Sequence, residues 1–177
     1  MSRVTLITGG ARSGKSRYAL QLAEKYDNRV FIATAEPIDD EMASRIAKHR
    51  AERQGAYRTV EESVELPRAI ASLNGEVEVA VVDCLTVWLG NLFYKVNDEE
   101  KIGLYIDELV SSVQKCPNDL VFISNEVGLG IVPHDPSTRL YRDTVGRLNQ
   151  RVAEIADTVL FMVSGLPMVL KDACGKK

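Results

Sequence analysis

A chain of 177 residues, 45% of them hydrophobic and 27% charged, has the composition of an ordinary globular protein and the length of one domain with one sizeable core. A formal net charge of -3 supplies no basic field for gripping a polyanionic backbone, which argues against nucleic acid as a partner and leaves small anions held by local cations open. Cys84, Cys116 and Cys174 are scattered and form no CxxC pair, so neither a disulfide framework nor a zinc site is expected; a reducing cytoplasm is the simplest home.

Short β-branched runs alternate with longer amphipathic stretches, the pattern of strand–helix units winding a mostly parallel sheet. The N-terminus enters a strand run directly, Val4 to Thr8, and no apolar run reaches membrane-spanning length, so a soluble, unprocessed chain is expected. Next comes Gly9-Gly10-Ala11-Arg12-Ser13-Gly14-Lys15-Ser16, which fits GxxxxGK[ST] between that strand and a helix beginning near Lys15. Glycines let the backbone curl until successive N–H groups and the helix N-terminus face an anion. In such a loop the lysine reaches the β- and γ-phosphates and the serine offers its hydroxyl to Mg²⁺.

A strand at Val30 to Thr34 precedes a helix from about Asp39. Acids stand at its start, while Arg45, Lys48, Arg50 and Arg53 gather toward its end and Gly55 stops it. His49 lies three residues after Ile46 and seven after Met42, on their face and toward the protein body. The surrounding cations disfavour imidazolium and attract phosphate. From the residues alone two readings of His49 stay open: a packed or helix-terminal histidine, and a neutral nucleophile.

A helix is expected from about Glu65, then a strand at Val77 to Val82 closed by Asp83. Ligands of open α/β sheets sit at the carboxyl ends of strands, so Asp83 reads as a second metal-side group beside Ser16, or else as a loop carboxylate capping the next segment. A helix from Asp98 and a strand at Leu120 to Ser124 follow. His134, in the stiff loop Val132-Pro133-His134-Asp135-Pro136, reads as a bystander. The helix from Ser137 carries Tyr141, Val145, Leu148, Val152 and Ile155 as a core stripe, and the last strand runs from Thr158 to Val163. Residues 1–171 are expected to form one domain, with 172–177 a polar tail.

Several of these residues resemble the bifunctional adenosylcobinamide kinase and adenosylcobinamide-phosphate guanylyltransferase family of cobalamin biosynthesis. The resemblance rests on Thr8 to Ser16, Ile32-Ala33-Thr34-Ala35, Asp39-Asp40-Glu41-Met42 with Arg45-Ile46 and His49, and Tyr57 to Glu61. It continues through Asp83-Cys84-Leu85-Thr86, Asn91-Leu92, Ser124-Asn125-Glu126-Val127-Gly128 with Gly130-Ile131-Val132-Pro133, and Asn149-Gln150-Arg151. It implies an α/β, P-loop NTPase-type (RecA-like) three-layer sandwich that phosphorylates adenosylcobinamide from ATP or GTP and then attaches GMP from GTP to the new phosphate. By the same resemblance His49 carries GMP covalently and Lys15 is catalytic. Ala33, Thr34, Ala35, Arg50, Ala51, Glu52, Arg53, Glu61 and Asp83 would join the loop in contacting nucleotide, Ser16 and Asp83 would hold Mg²⁺, and the assembly would be a homotrimer.

Two rival readings share the phosphate loop. A single-function small-molecule kinase would give His49 no covalent role. A GTP-dependent switch would be expected to carry an NKxD guanine-reading motif, and Asn125-Glu126-Val127-Gly128 has neither its Lys nor its Asp.

Overall fold

The computed structural model describes residues 2–52 and 55–173; the side chains of Arg45, His49 and Glu52 lie outside the described set. Among the described residues the strands are β1 (Val4–Gly9), β2 (Arg29–Ala33), β3 (Arg58–Glu61), β4 (Val79–Asp83), β5 (Asp119–Ile123), β6 (Thr158–Val163) and β7 (Leu166–Asp172). The helices are α1 (Lys15–Ala23), α2 (Asp40–Glu52), α3 (Leu66–Ala71), α4 (Leu85–Lys95), α5 (Glu99–Lys115) and α6 (Pro136–Ile155).

The strands join in one seven-stranded sheet of order β3-β2-β4-β5-β1-β6-β7. Every neighbouring pair is parallel except β6 with β7. That last pair is a hairpin whose two turn residues, Ser164 and Gly165, both take positive φ (52° and 82°), as a type I′ turn between twisted strands requires.

Parallel strands need a covering on both faces, and the buried residues divide accordingly. On one face Leu6, Ile32, Val82 and Phe122 pack with Leu66 of α3, Trp88 and Leu92 of α4, Ile102 and Leu109 of α5, and Val145, Leu148 and Val152 of α6. On the other, Ile7, Phe31, Val81 and Ile123 meet Ala19 and Ala23 of α1. Trp88 is fully buried, and its indole N–H donates to the Val64 carbonyl at 2.8 Å, so burying this large ring strands no polar group. Local signals place the helix starts: Asp98 accepts from Lys101 N at 3.2 Å, and Asp135 accepts from Thr138 N at 2.8 Å, with Pro136 in the first turn of α6.

The expected strands and helices are present, with ends shifted by one or two residues. Three further elements were not expected. β3 is an edge strand with only Val60 half-buried, β7 is exposed along its whole length, and α4 is apolar on most of its circumference, so none presents a clean two- or 3.6-residue period. β7 also runs through Asp172, which pairs with Thr158, one residue past the Lys171 at which the domain was expected to end.

Candidate nucleotide site

The phosphate loop leaves β1 at its carboxyl end and turns into α1. Gly9 takes φ 143°, Arg12 φ 57° and Gly14 φ 95°, the left-handed conformations that bend successive N–H groups toward one side. Gly14 is the N-cap of α1 and supplies no side-chain cap, so the first N–H groups of the helix face the loop without a protein acceptor from that residue. Gly165 N donates to Ser13 O at 3.0 Å, fastening the loop to the β6–β7 turn. Ala11 and Arg12 stand exposed at the crest, whereas Lys15 is buried. Its ammonium donates to Gly9 O at 3.0 Å and Gly10 O at 2.6 Å, so the cation lies folded against the loop with carbonyl dipoles offsetting its loss of water.

Ser16, one residue into α1, donates to Asp83 Oδ2 at 3.0 Å, joining the phosphate loop to the end of β4. Asp83 thus lies within hydrogen-bonding reach of the first turn of α1. Past the ends of β2 and β4, the Thr34 hydroxyl donates to Cys84 O at 2.9 Å and accepts from Cys84 N at 2.8 Å. The Asn91 amide donates to Thr34 O and Ser63 O, at 2.8 and 3.0 Å, holding the Ala33-Thr34-Ala35 turn in place. Burial, reinforced by the adjacent Asp83 charge, pushes the Cys84 thiol up to about 11. At pH 8 native Cys84 is therefore expected to resist iodoacetamide and to react only on unfolding in guanidinium. Peptide mapping of alkylated protein would check this, and rapid modification in the native state would contradict it.

The sheet order brings in residues that the candidate set omitted. β5 lies between β1 and β4, so its exit, Ser124-Asn125-Glu126, falls between the phosphate loop and Asp83. Glu126 N donates to Gly9 O at 3.0 Å. Buried Ser124 donates to Asn149 Oδ1 at 2.6 Å, the Asn149 amide donates to Asn125 O at 3.2 Å, and Asn125 N donates to Thr86 Oγ1 at 3.0 Å. Tyr141, its hydroxyl pushed up to about 12 by burial, donates to Thr86 O at 2.8 Å. This chain of satisfied polar groups sets the floor of the site as a rigid unit. The signal that could have found it is the one that found Asp83: polar residues directly after a buried strand.

α2 rises beyond β2, with Met42 and Ile46 half-buried and its other described side chains exposed. Near its end Arg50 forms an ion pair with Glu61, the last residue of β3, both largely exposed. Such a pair contributes little stability, but it ties the turn carrying His49 to the carboxyl edge of the sheet and takes Arg50 out of the free positive cluster that the sequence suggests. The side chains of His49 and Glu52, and the whole of Arg53, lie outside the described residues; Ala51 is exposed. His134 is exposed, and its carbonyl accepts from Arg139 at 2.5 Å. Among the described residues no helix is long and apolar enough to cross a membrane.

A parallel α/β sheet whose phosphate loop and acidic strand end are separated by one intervening strand is a P-loop nucleotide-binding domain of the RecA-like kind. The crystal structure of a KaiC-like protein from Pyrococcus horikoshii OT3 has this fold, with a TM-score of 0.51 at 17% identity, over 90% of this chain and 70% of that one. The chain belongs to the cobinamide kinase / cobinamide phosphate guanyltransferase family, whose model matches residues 5–170. It is 44% identical over 170 residues to the bifunctional adenosylcobalamin biosynthesis protein CobP of Pseudomonas aeruginosa, covering 94% of this chain and 96% of that protein. It is 38% identical over 178 residues to the corresponding CobU of Escherichia coli, covering 94% and 98%.

Proposed function

We propose that this protein phosphorylates adenosylcobinamide with ATP or GTP and then transfers GMP from GTP to adenosylcobinamide phosphate through a GMP–His49 intermediate, releasing pyrophosphate and adenosylcobinamide-GDP. The observation that carries the reading is the contact between Ser16 and Asp83 beside a glycine-bent loop that holds the Lys15 ammonium against its own carbonyls, in a chain of this family. A cytoplasmic homotrimer is part of the proposal.

Both half-reactions displace a group at phosphorus, so the protein's task is to position the reactants and offset charge. In the first, the substrate hydroxyl oxygen forms a bond to the γ-phosphorus and releases its proton to solvent, the bond to the β–γ bridging oxygen breaks, and the nucleoside diphosphate leaves. Lys15 must turn from the Gly9 and Gly10 carbonyls toward the phosphates, exchanging two neutral acceptors for charged ones. The Ser16 hydroxyl and the Asp83 carboxylate are oxygen donors suited to a hard cation. With no larger acidic cluster among the described residues, Mg²⁺ held there would take its remaining ligands from water and the triphosphate and would supply charge neutralisation.

In the second, a neutral His49 ring nitrogen bonds to the α-phosphorus of GTP and pyrophosphate leaves. An oxygen of the substrate phosphate then attacks the same phosphorus, and the P–N bond breaks to return the imidazole. The Arg50–Glu61 pair supports this role by holding the end of α2 at the nucleotide edge.

The test is incubation with α-labelled GTP and Mg²⁺. An acid-labile, alkali-stable protein adduct is expected, and it should be lost in His49→Asn while kinase turnover persists. Normal labelling of His49→Asn would exclude the nucleophile. No adduct in the unsubstituted protein would leave the single-function kinase as the better reading.

A further inference from the structure

Between β5 and α6 the chain exposes three large aliphatic side chains in a short span: Leu129 is 79% exposed, Ile131 96% and Val132 62%. Isolated apolar side chains on a surface need no explanation, but three on one short loop that none of the described residues covers form a patch. The loop is pinned at both ends. At its start Glu126 N donates to Gly9 O at 3.0 Å, the Glu126 carboxylate accepts from Gly128 N at 2.8 Å, and Val127 packs on the core. At its end Arg139 donates to Pro133 O at 3.0 Å and His134 O at 2.5 Å, while Asp135 caps α6. The aliphatic stretch is thus held out from the body by an anchored frame, one hydrogen bond away from the phosphate loop.

We infer that Leu129, Ile131 and Val132 form an apolar lip that receives the corrinoid macrocycle of the phosphoryl acceptor. The inference rests on the proposed function and names a substrate subsite within it. The acceptor must bring one hydroxyl to the γ-phosphate in the loop, so the rest of its bulk has to lie on the surface flanking that loop. The lip follows directly on Glu126, whose backbone N–H is bonded to Gly9 at the start of that loop. A corrinoid presents a broad macrocycle whose rim carries methyl groups beside its amide arms, and those methyls match aliphatic side chains better than the charged Arg12 exposed on the loop. Cover by the ligand would remove the lip from water only while substrate is bound, so its binding energy goes to acceptor affinity and leaves triphosphate binding untouched.

Full-length Leu129→Ser, Ile131→Ser and the double variant, all at exposed positions where the fold should tolerate polar side chains, supply the test. The KM for adenosylcobinamide is expected to rise about tenfold or more in the double variant. The KM for GTP and the labelling by α-labelled GTP should stay unchanged, and Ile131→Val should retain normal acceptor affinity. An unaltered acceptor KM would overturn the inference. So would a drop in sedimentation coefficient accompanying the kinetic change, which would assign the lip to contact between copies of the chain. Failure of the unsubstituted enzyme to phosphorylate adenosylcobinamide would instead overturn the proposed function, and the inference with it.

Discussion

Lys15→Ala is expected to lower kcat/KM of both the kinase and the guanylyl-transfer step by about 10²–10³-fold, the scale on which removal of one positioned charge-stabilising donor acts. The side chain is buried within the loop, where its ammonium donates to the Gly9 and Gly10 carbonyls. Truncation also leaves the Gly9 and Gly10 carbonyls without their charged donor, which lowers stability modestly and calls for a thermal melt beside the kinetics. Lys15→Arg should rescue poorly, because a planar fork does not fit where a compact ammonium reaches past backbone. Separate assays of nucleoside diphosphate release and pyrophosphate release decide the matter. Loss of one with the other intact would mean that two phosphate sites exist, and that the shared loop is wrong.

The contrast between what the sequence disclosed and what it withheld follows from the range of the interactions. Gly9 to Ser16 is a local device: its glycines, lysine and serine act within one turn of chain, so the string of letters carries the geometry. Asp83 is nearly as local, being the first polar residue after Val79–Val82. Ser124, Asn125 and Asn149 are different, because their importance depends on β5 lying between β1 and β4, a strand order no single segment encodes. β3 and β7 escaped for the opposite reason, since their side chains are too exposed to print an apolar period. The helix bearing His49 was legible from its caps and charges. The Arg50–Glu61 pair that tethers it joins two elements and was not.

Gly9→Ala is the second substitution expected to act strongly, and through sterics. A Cβ placed at Gly9 would lie 2.5 Å from Met162 O and 3.2 Å from Met162 N, both backbone atoms of β6, and 3.0 Å from Ser13 Oγ. Backbone cannot swing aside as a side-chain tip can, and φ of 143° is itself unfavourable for any residue bearing a Cβ. Strain of about 1–3 kcal/mol and overpacking of similar size put the cost at about 3 kcal/mol or more. For a domain of this length that corresponds to a fall in Tm of about 6–12 °C. The shift would also pry β1 from β6 at the point where the loop begins, so triphosphate affinity should fall together with stability. Gly10→Ala is the control: nothing lies within 4 Å of its added Cβ, and Tm should hardly move. If the two variants melted alike, the close approach of β1 to β6 would not be what demands glycine at the start of the loop.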